Sequence, residues 1–187
     1  NYLTGVVTFF ADDNPAALAV DYIVDGGAYW GGLRDWNFAA MPAQDPLPTS
    51  ATGAQYGWYA PSAGGQITAA KRLLLAVDET AWFRPGILSG EGGHSFCLRI
   101  NAHSVGPATL QVRAYWEAYI DVAGTPTLTD VSVPLPTIAV AAAVAGTPDA
   151  FYYRSVGIPA WCNNLVIRLY CLSGTSVTIN SVEWAVV

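Results

Sequence analysis

The sequence predicts an all-β fold, a mostly antiparallel β-sandwich, and three observations carry that prediction. Apolar and polar residues alternate with period two over several long runs. Pro/Gly-rich loops separate those runs at spacings that suit stacked sheets rather than a parallel α/β sheet. The chain has 187 residues, 52% hydrophobic and only 12% charged, so it has the material for a substantial core.

Taken in order, Gly5 to Phe10 reads as a first strand. Asn14 to Val24 has two readings. Asn14 as cap, Pro15 at the first helical position and Gly26-Gly27 as a stop describe a helix. Leu18, Val20, Tyr22 and Val24 on one face describe a strand. Gly26 to Gly65 is an aromatic-rich loop region with little periodicity, and loops of this length in a compact domain are usually functional or packed against a partner. Arg72 to Val77 is a further strand candidate.

The strongest signals follow. Ser95 to Ile100 puts Phe96, Leu98 and Ile100 on one face and Ser95, Cys97 and Arg99 on the other. Thr109 to Ile120 places Leu110, Val112, Ala114, Trp116, Ala118 and Ile120 inward, with Gln111, Arg113, Tyr115, Glu117 and Tyr119 outward. The turn-forming His103-Ser104-Val105-Gly106-Pro107 between them predicts a hairpin. Leu128 to Val133 and Thr137 to Val144 are weaker strands. Leu165, Ile167, Leu169 and Cys171 alternate with Arg168 and Tyr170, and Ser173-Gly174-Thr175 then turns tightly into Val177 to Val187. In that last run the apolar parity changes, which predicts a bulge near Asn180-Ser181.

Charge and composition exclude several functions. The net charge is −6 and Lys71 is the only lysine, leaving no basic stripe for nucleic-acid phosphates. No apolar run reaches the roughly 18 residues that cross a bilayer, the longest being Ile138 to Ala145. Cys97, Cys162 and Cys171 include no CxxC pair, and with His94 and His103 they give no metal-ligand spacing. Cys97 and Cys171 read as small hydrophobes in strands. A Cys162 to Cys171 disulfide is the alternative, and nothing in the sequence requires it.

No catalytic constellation stands out, so enzyme activity is not expected. Fourteen carboxylates always include some pair that a glycosidase could use, here Asp78-Glu79 or Glu117 with Glu183. Asp12-Asp13-Asn14 offers oxygen ligands to calcium, with a polar turn or helix cap as the plainer reading; otherwise no cofactor is expected. Tyr115, Glu117 and Tyr119 on one strand, with Arg168 and Tyr170 on a neighbour, combine flat rings for stacking on sugar with charged groups for hydroxyls. The alternative is that another layer, a neighbouring subunit or the N-terminal loop covers that face. Seven Trp exceed what one small core needs, so the candidates extend to Trp58 and Tyr59 for glycan binding and to Tyr29, Trp30 and Trp36 for an interface.

Pro159-Ala160, the alternating strand Leu165 to Leu172, the turn Ser173-Gly174 and Val177-Thr178-Ile179-Asn180-Ser181-Val182 resemble the closing strands of carbohydrate-binding-module-type jelly rolls, which recur in tailed-bacteriophage tail and fibre proteins. Arg84-Pro85-Gly86, Ser95 to Ile100 and Ala108 to Asp121 resemble the strands that open the same module. The likeness runs from Trp82 to Val187. It departs from the pattern at Asn180, where the module's usual Asp is often associated with a structural calcium. Gly5 to Pro15 and Tyr119-Ile120-Asp121 also resemble jelly-roll capsid shells of small RNA viruses.

The resemblance implies one β-sandwich domain of jelly-roll type over residues 1–187. Residues 82–187 form its core, and 1–80 are part of it or an N-terminal extension or assembly arm. It implies a non-catalytic virion component of tail, fibre or surface, located on the virion or outside the cell. Such a protein would partner copies of itself or other virion proteins and host-surface glycan, without nucleic acid or membrane insertion. The alternatives are a capsid shell or decoration protein with no ligand, and a carbohydrate-binding module of a secreted glycoside hydrolase.

Overall fold

The structure, a computed structural model, describes residues 36–38, 41–50, 57–86, 93–122, 125–143, 150–161 and 164–187. It is an antiparallel β-sandwich of twelve strands in two sheets. The strands are β1 (Trp36–Asn37), β2 (Trp58–Tyr59), β3 (Gln66–Ile67), β4 (Leu73–Leu75), β5 (Thr80–Gly86), β6 (Ser95–Ser104), β7 (Ala108–Val122), β8 (Thr125–Pro134), β9 (Ile138–Val140), β10 (Ala150–Gly157), β11 (Asn164–Gly174) and β12 (Val177–Val186). Sheet A runs β10-β6-β12-β4-β3, with β1 also on β12; sheet B runs β2-β5-β11-β7-β8, with β9 also on β7. Among the described residues there is no α-helix, and none long and apolar enough to cross a membrane.

Period-two alternation decides which side chains fill the space between the sheets. Phe96, Leu98, Ile100 and Ala102 of β6 are buried, as are Leu110, Val112, Ala114 and Trp116 of β7 and Leu165, Ile167, Leu169 and Cys171 of β11. These are the apolar faces read from the sequence, with Ala102 added, while the side chains of Ala118 and Ile120 lie outside the described residues. On β12 the ladder with β6 shifts register between Ile179 and Ser181. This is the bulge that the change of parity predicts, and it keeps both Val177 and Val182 in the core.

The β6–β7 hairpin is not formed. β6 pairs with β10 and β12 in sheet A, while β7 pairs with β8, β9 and β11 in sheet B. Two local features turn the connection into an arch between sheets. Pro107 has no N–H to extend a ladder into β7. Ser104 is fully buried at the corner, where its Oγ donates to the Gly106 carbonyl and lies 3.2 Å from that of Ala141. The Ser173–Thr175 turn is a second arch, packed on the first: Thr175 Oγ1 donates to the Gly106 carbonyl at 3.0 Å. Gly174 has φ +94°, and a Cβ there would sit 2.1 Å from the Pro107 carbonyl oxygen, so this place takes glycine alone.

Of residues 1–80, given above as part of the sandwich or an arm, the described strands β1 to β4 pair within the two sheets. The strand and helix readings over Gly5 to Val24 lie outside the described residues, as do Asp12, Asp13, Tyr29 and Trp30. Cys171 is a free thiol in the core, so the Cys162 to Cys171 disulfide is not formed. Cys97, read as a small hydrophobe, is also free, on the outward side of β6 and half-buried.

Candidate functional site

The register of sheet B assembles the site on its outer face. Across the strands, Tyr59 faces Trp82, Trp82 faces Arg168, and Arg168 faces Arg113. In the next row Thr80, Tyr170 and Gln111 align, and on the other side Val166 faces Tyr115. Three strands therefore bring together rings, guanidinium groups and an amide that are far apart in the chain.

The rings of Trp82 and Tyr115 stack with centroids 4.9 Å apart and planes at 28°. The Arg168 guanidinium lies 5.8 Å from the Trp82 ring centroid and 5.0 Å from that of Tyr170, within cation–π range of both. Its Nη2 donates to Gln111 Oε1 at 2.7 Å. Tyr170 donates its hydroxyl to Asp78 Oδ1 at 2.6 Å. This hydrogen bond to a carboxylate is the main cause that raises the Tyr170 pKa above its ordinary value, with smaller contributions from desolvation and the Asp78 charge.

Asp78 is placed by its loop. It adopts φ +68°, in the left-handed region that Asp tolerates better than most residues. Its N–H donates to the Cys171 carbonyl at 2.9 Å, and the Cys171 N–H donates to Glu79 at 3.1 Å, which clamps the loop to β11. Glu79 Oε2 accepts from the Ala76 N–H at 2.8 Å. Both carboxylates of the Asp78-Glu79 pair thus have structural partners. Glu117 and Glu183, the other candidate pair, sit in different sheets. Among the described residues no cluster of His, Cys, Asp and Glu is built to hold a metal.

Of the predicted glycan residues, Tyr115, Arg168 and Tyr170 come together here, each partly exposed. The backbone of Glu117 and Tyr119 continues β7 on sheet B, and their side chains lie outside the described residues, as does that of Trp36 on β1. Trp58 and Tyr59 do not offer open faces. Trp58 is 1% exposed between Phe38 and Phe83, with ring centroids 5.3 and 4.6 Å away, and is a core residue. Tyr59 is buried beside Trp82. Asn180, at the position of the module's Asp, donates from Nδ2 to Asn101 Oδ1 at 3.1 Å.

Trp82 is the site residue that sequence reading missed. It sits in the contiguous apolar run Ala81-Trp82-Phe83, where alternation gives no outward signal. A second aromatic feature was also missed: Phe151 and Tyr153, on one face of edge strand β10, are about half exposed. The run Phe151-Tyr152-Tyr153 puts aromatic residues on both faces of the strand, so alternation gives no outward signal there.

No protein-family model matches the chain, and no curated protein matches it. Among solved structures, it is similar to the CBM22-1 xylan-binding domain from Paenibacillus barcinonensis, at 10% identity and TM-score 0.44 over 82% of this chain and 92% of that one. It is similar to the adhesin domain of the Lys-gingipain of Porphyromonas gingivalis, at 13% identity and TM-score 0.38 over 61% and 73%. It is similar to a tailspike protein of bacteriophage CBA120, at 20% identity and TM-score 0.37 over 62% of this chain and 15% of that one.

Proposed function

We propose that this chain is a non-catalytic carbohydrate-binding sandwich, working outside the cell, that takes a glycan on the outer face of sheet B. The observation that carries this reading is the convergence of partly exposed Trp82, Tyr115 and Tyr170 rings with the donors of Arg168 and the oxygens of Gln111 and Asp78. Sugar rings present apolar C–H faces and a rim of hydroxyls, and a surface that pairs flat rings with fixed polar groups matches both. The tail, fibre, capsid and self-association roles have no described feature to carry them and form no part of the proposal.

The test is retention on insoluble polysaccharides alongside thermal unfolding. Tyr115→Ala and Tyr170→Ala are each expected to weaken retention about ten-fold or more while moving Tm by less than about 8 °C. Retention unchanged in both variants, or loss of folding in both, sinks the platform.

A further inference from the structure

The class of glycan follows from Arg168, given the carbohydrate reading above. Arg168 sits in the middle of the site on β11, the central strand of sheet B. Its guanidinium has five N–H donors, and Gln111 Oε1 accepts from one of them. Its Nε is buried without an acceptor. Among the described residues Arg168 forms no ion pair, so two rings and a neutral amide surround a charge that none of them balances. Arg113, directly opposite on β7, is a second basic residue on the same face, and the site's one described carboxylate, Asp78, is bonded to the Tyr170 hydroxyl.

That placement runs against the chain's overall charge. The molecule carries eight basic residues against fourteen acidic ones, yet two of the eight are cross-strand neighbours on this one face. A neutral sugar needs donors and acceptors but no excess positive charge. A planar guanidinium with unused donors matches a carboxylate in shape and charge. We propose that the site takes an acidic glycan, with the carboxylate of a uronic acid residue accepting from Arg168 while the sugar ring that bears it lies against the neighbouring aromatic side chains.

The experiment compares four polymers on the full chain by affinity electrophoresis and calorimetry: polygalacturonate, the same polymer with its carboxyl groups reduced to alcohols, neutral xylan and sulfated dextran. Polygalacturonate is expected to bind at least about ten-fold more tightly than its reduced form, equivalent to about 1.4 kcal/mol. The gap should narrow as salt rises, because the interaction is between charges at a partly exposed site. Arg168→Gln should close the gap, and the comparison of ligands on the unaltered protein decides the question even where that variant fails to fold. Equal affinity for the acid and reduced polymers overturns the uronate assignment and leaves the carbohydrate reading standing. Binding to sulfated dextran with none to polygalacturonate also overturns it, moving the anion to a sulfate ester. No binding to any polymer overturns both readings.

Discussion

The outer faces of the two sheets both combine aromatic rings with an arginine, and they treat the arginine differently. On sheet A, Arg99 donates through Nε and Nη2 to Glu183 Oε2 while its guanidinium sits 5.4 Å from the Phe151 ring centroid. The side chains of that ion pair are 13% and 18% exposed, so the charge is neutralised in place. On sheet B, Arg168 has rings on either side and a neutral amide as its acceptor. The more exposed rings, Phe151 and Tyr153, belong to sheet A. Exposure of aromatic area alone would therefore select sheet A, the face opposite the proposed site. The state of the cation beside it separates a surface that is electrostatically complete from one that still has donors to offer.

The largest expected effect breaks this comparison directly. Trp82→Ala removes the ring that stacks on Tyr115 and supports Arg168, so retention on polysaccharide should be lost, with about 2–4 kcal/mol of stability lost in denaturant titrations. Phe151→Ala on the opposite sheet should leave retention intact and stability within about 0.5 kcal/mol. The reverse pattern would exchange the roles of the two faces.

A smaller effect sharpens it. Glu183→Gln deprives Arg99 of its carboxylate and should cost about 1–3 kcal/mol, with retention through sheet B unchanged. It also leaves Arg99 beside the Phe151 ring without its Glu183 carboxylate, nearer the condition argued for Arg168. Weak binding of polygalacturonate that persists in the Glu183→Gln, Arg168→Gln double variant would show that an arginine next to a ring, deprived of one carboxylate partner, suffices.

The smallest effect is on the pH dependence of stability. In the folded state Tyr170 holds its proton more tightly than in the unfolded chain, because its hydroxyl donates to Asp78. The stabilisation is complete below the ordinary tyrosine value of about 10 and is lost as pH rises through the raised folded value. Tyr170→Phe lacks that group. The difference in Tm between the two proteins should be constant through neutral pH and shrink on the alkaline side of about pH 10.

How much of this was legible in the sequence depends on what alternation encodes. It states which side chains share a face, and so Leu110 to Trp116, Phe96 to Ile100 and the parity change at Asn180-Ser181 were all readable. It does not state which strand lies alongside, and the predicted β6–β7 hairpin failed there: an arch and a hairpin present the same pattern, and the difference lay in Pro107 and buried Ser104. The site was half legible for the same reason. Tyr115, Arg168 and Tyr170 declare themselves as outward residues on strands whose inner faces are apolar. Trp82 does not, because its apolar neighbours Ala81 and Phe83 mask its direction. Trp58 was misplaced because a loop-like surrounding sequence conceals that its ring closes the core between Phe38 and Phe83.

The positions of β11 and β12 bear on how the chain reaches its fold. β11 lies between β5 and β7, and β12 between β6 and β4, so the last two strands are the middle of both sheets. Most of the pairing they make is with residues far back in the sequence, which places the loop-closure cost before the reward and favours slow, all-or-none folding. During synthesis, the residues up to Gly157 hold strands whose central neighbours do not yet exist. Their ladder edges stay open until residues 164–186 emerge, and that interval is when the nascent protein is most exposed to pairing with the wrong partner.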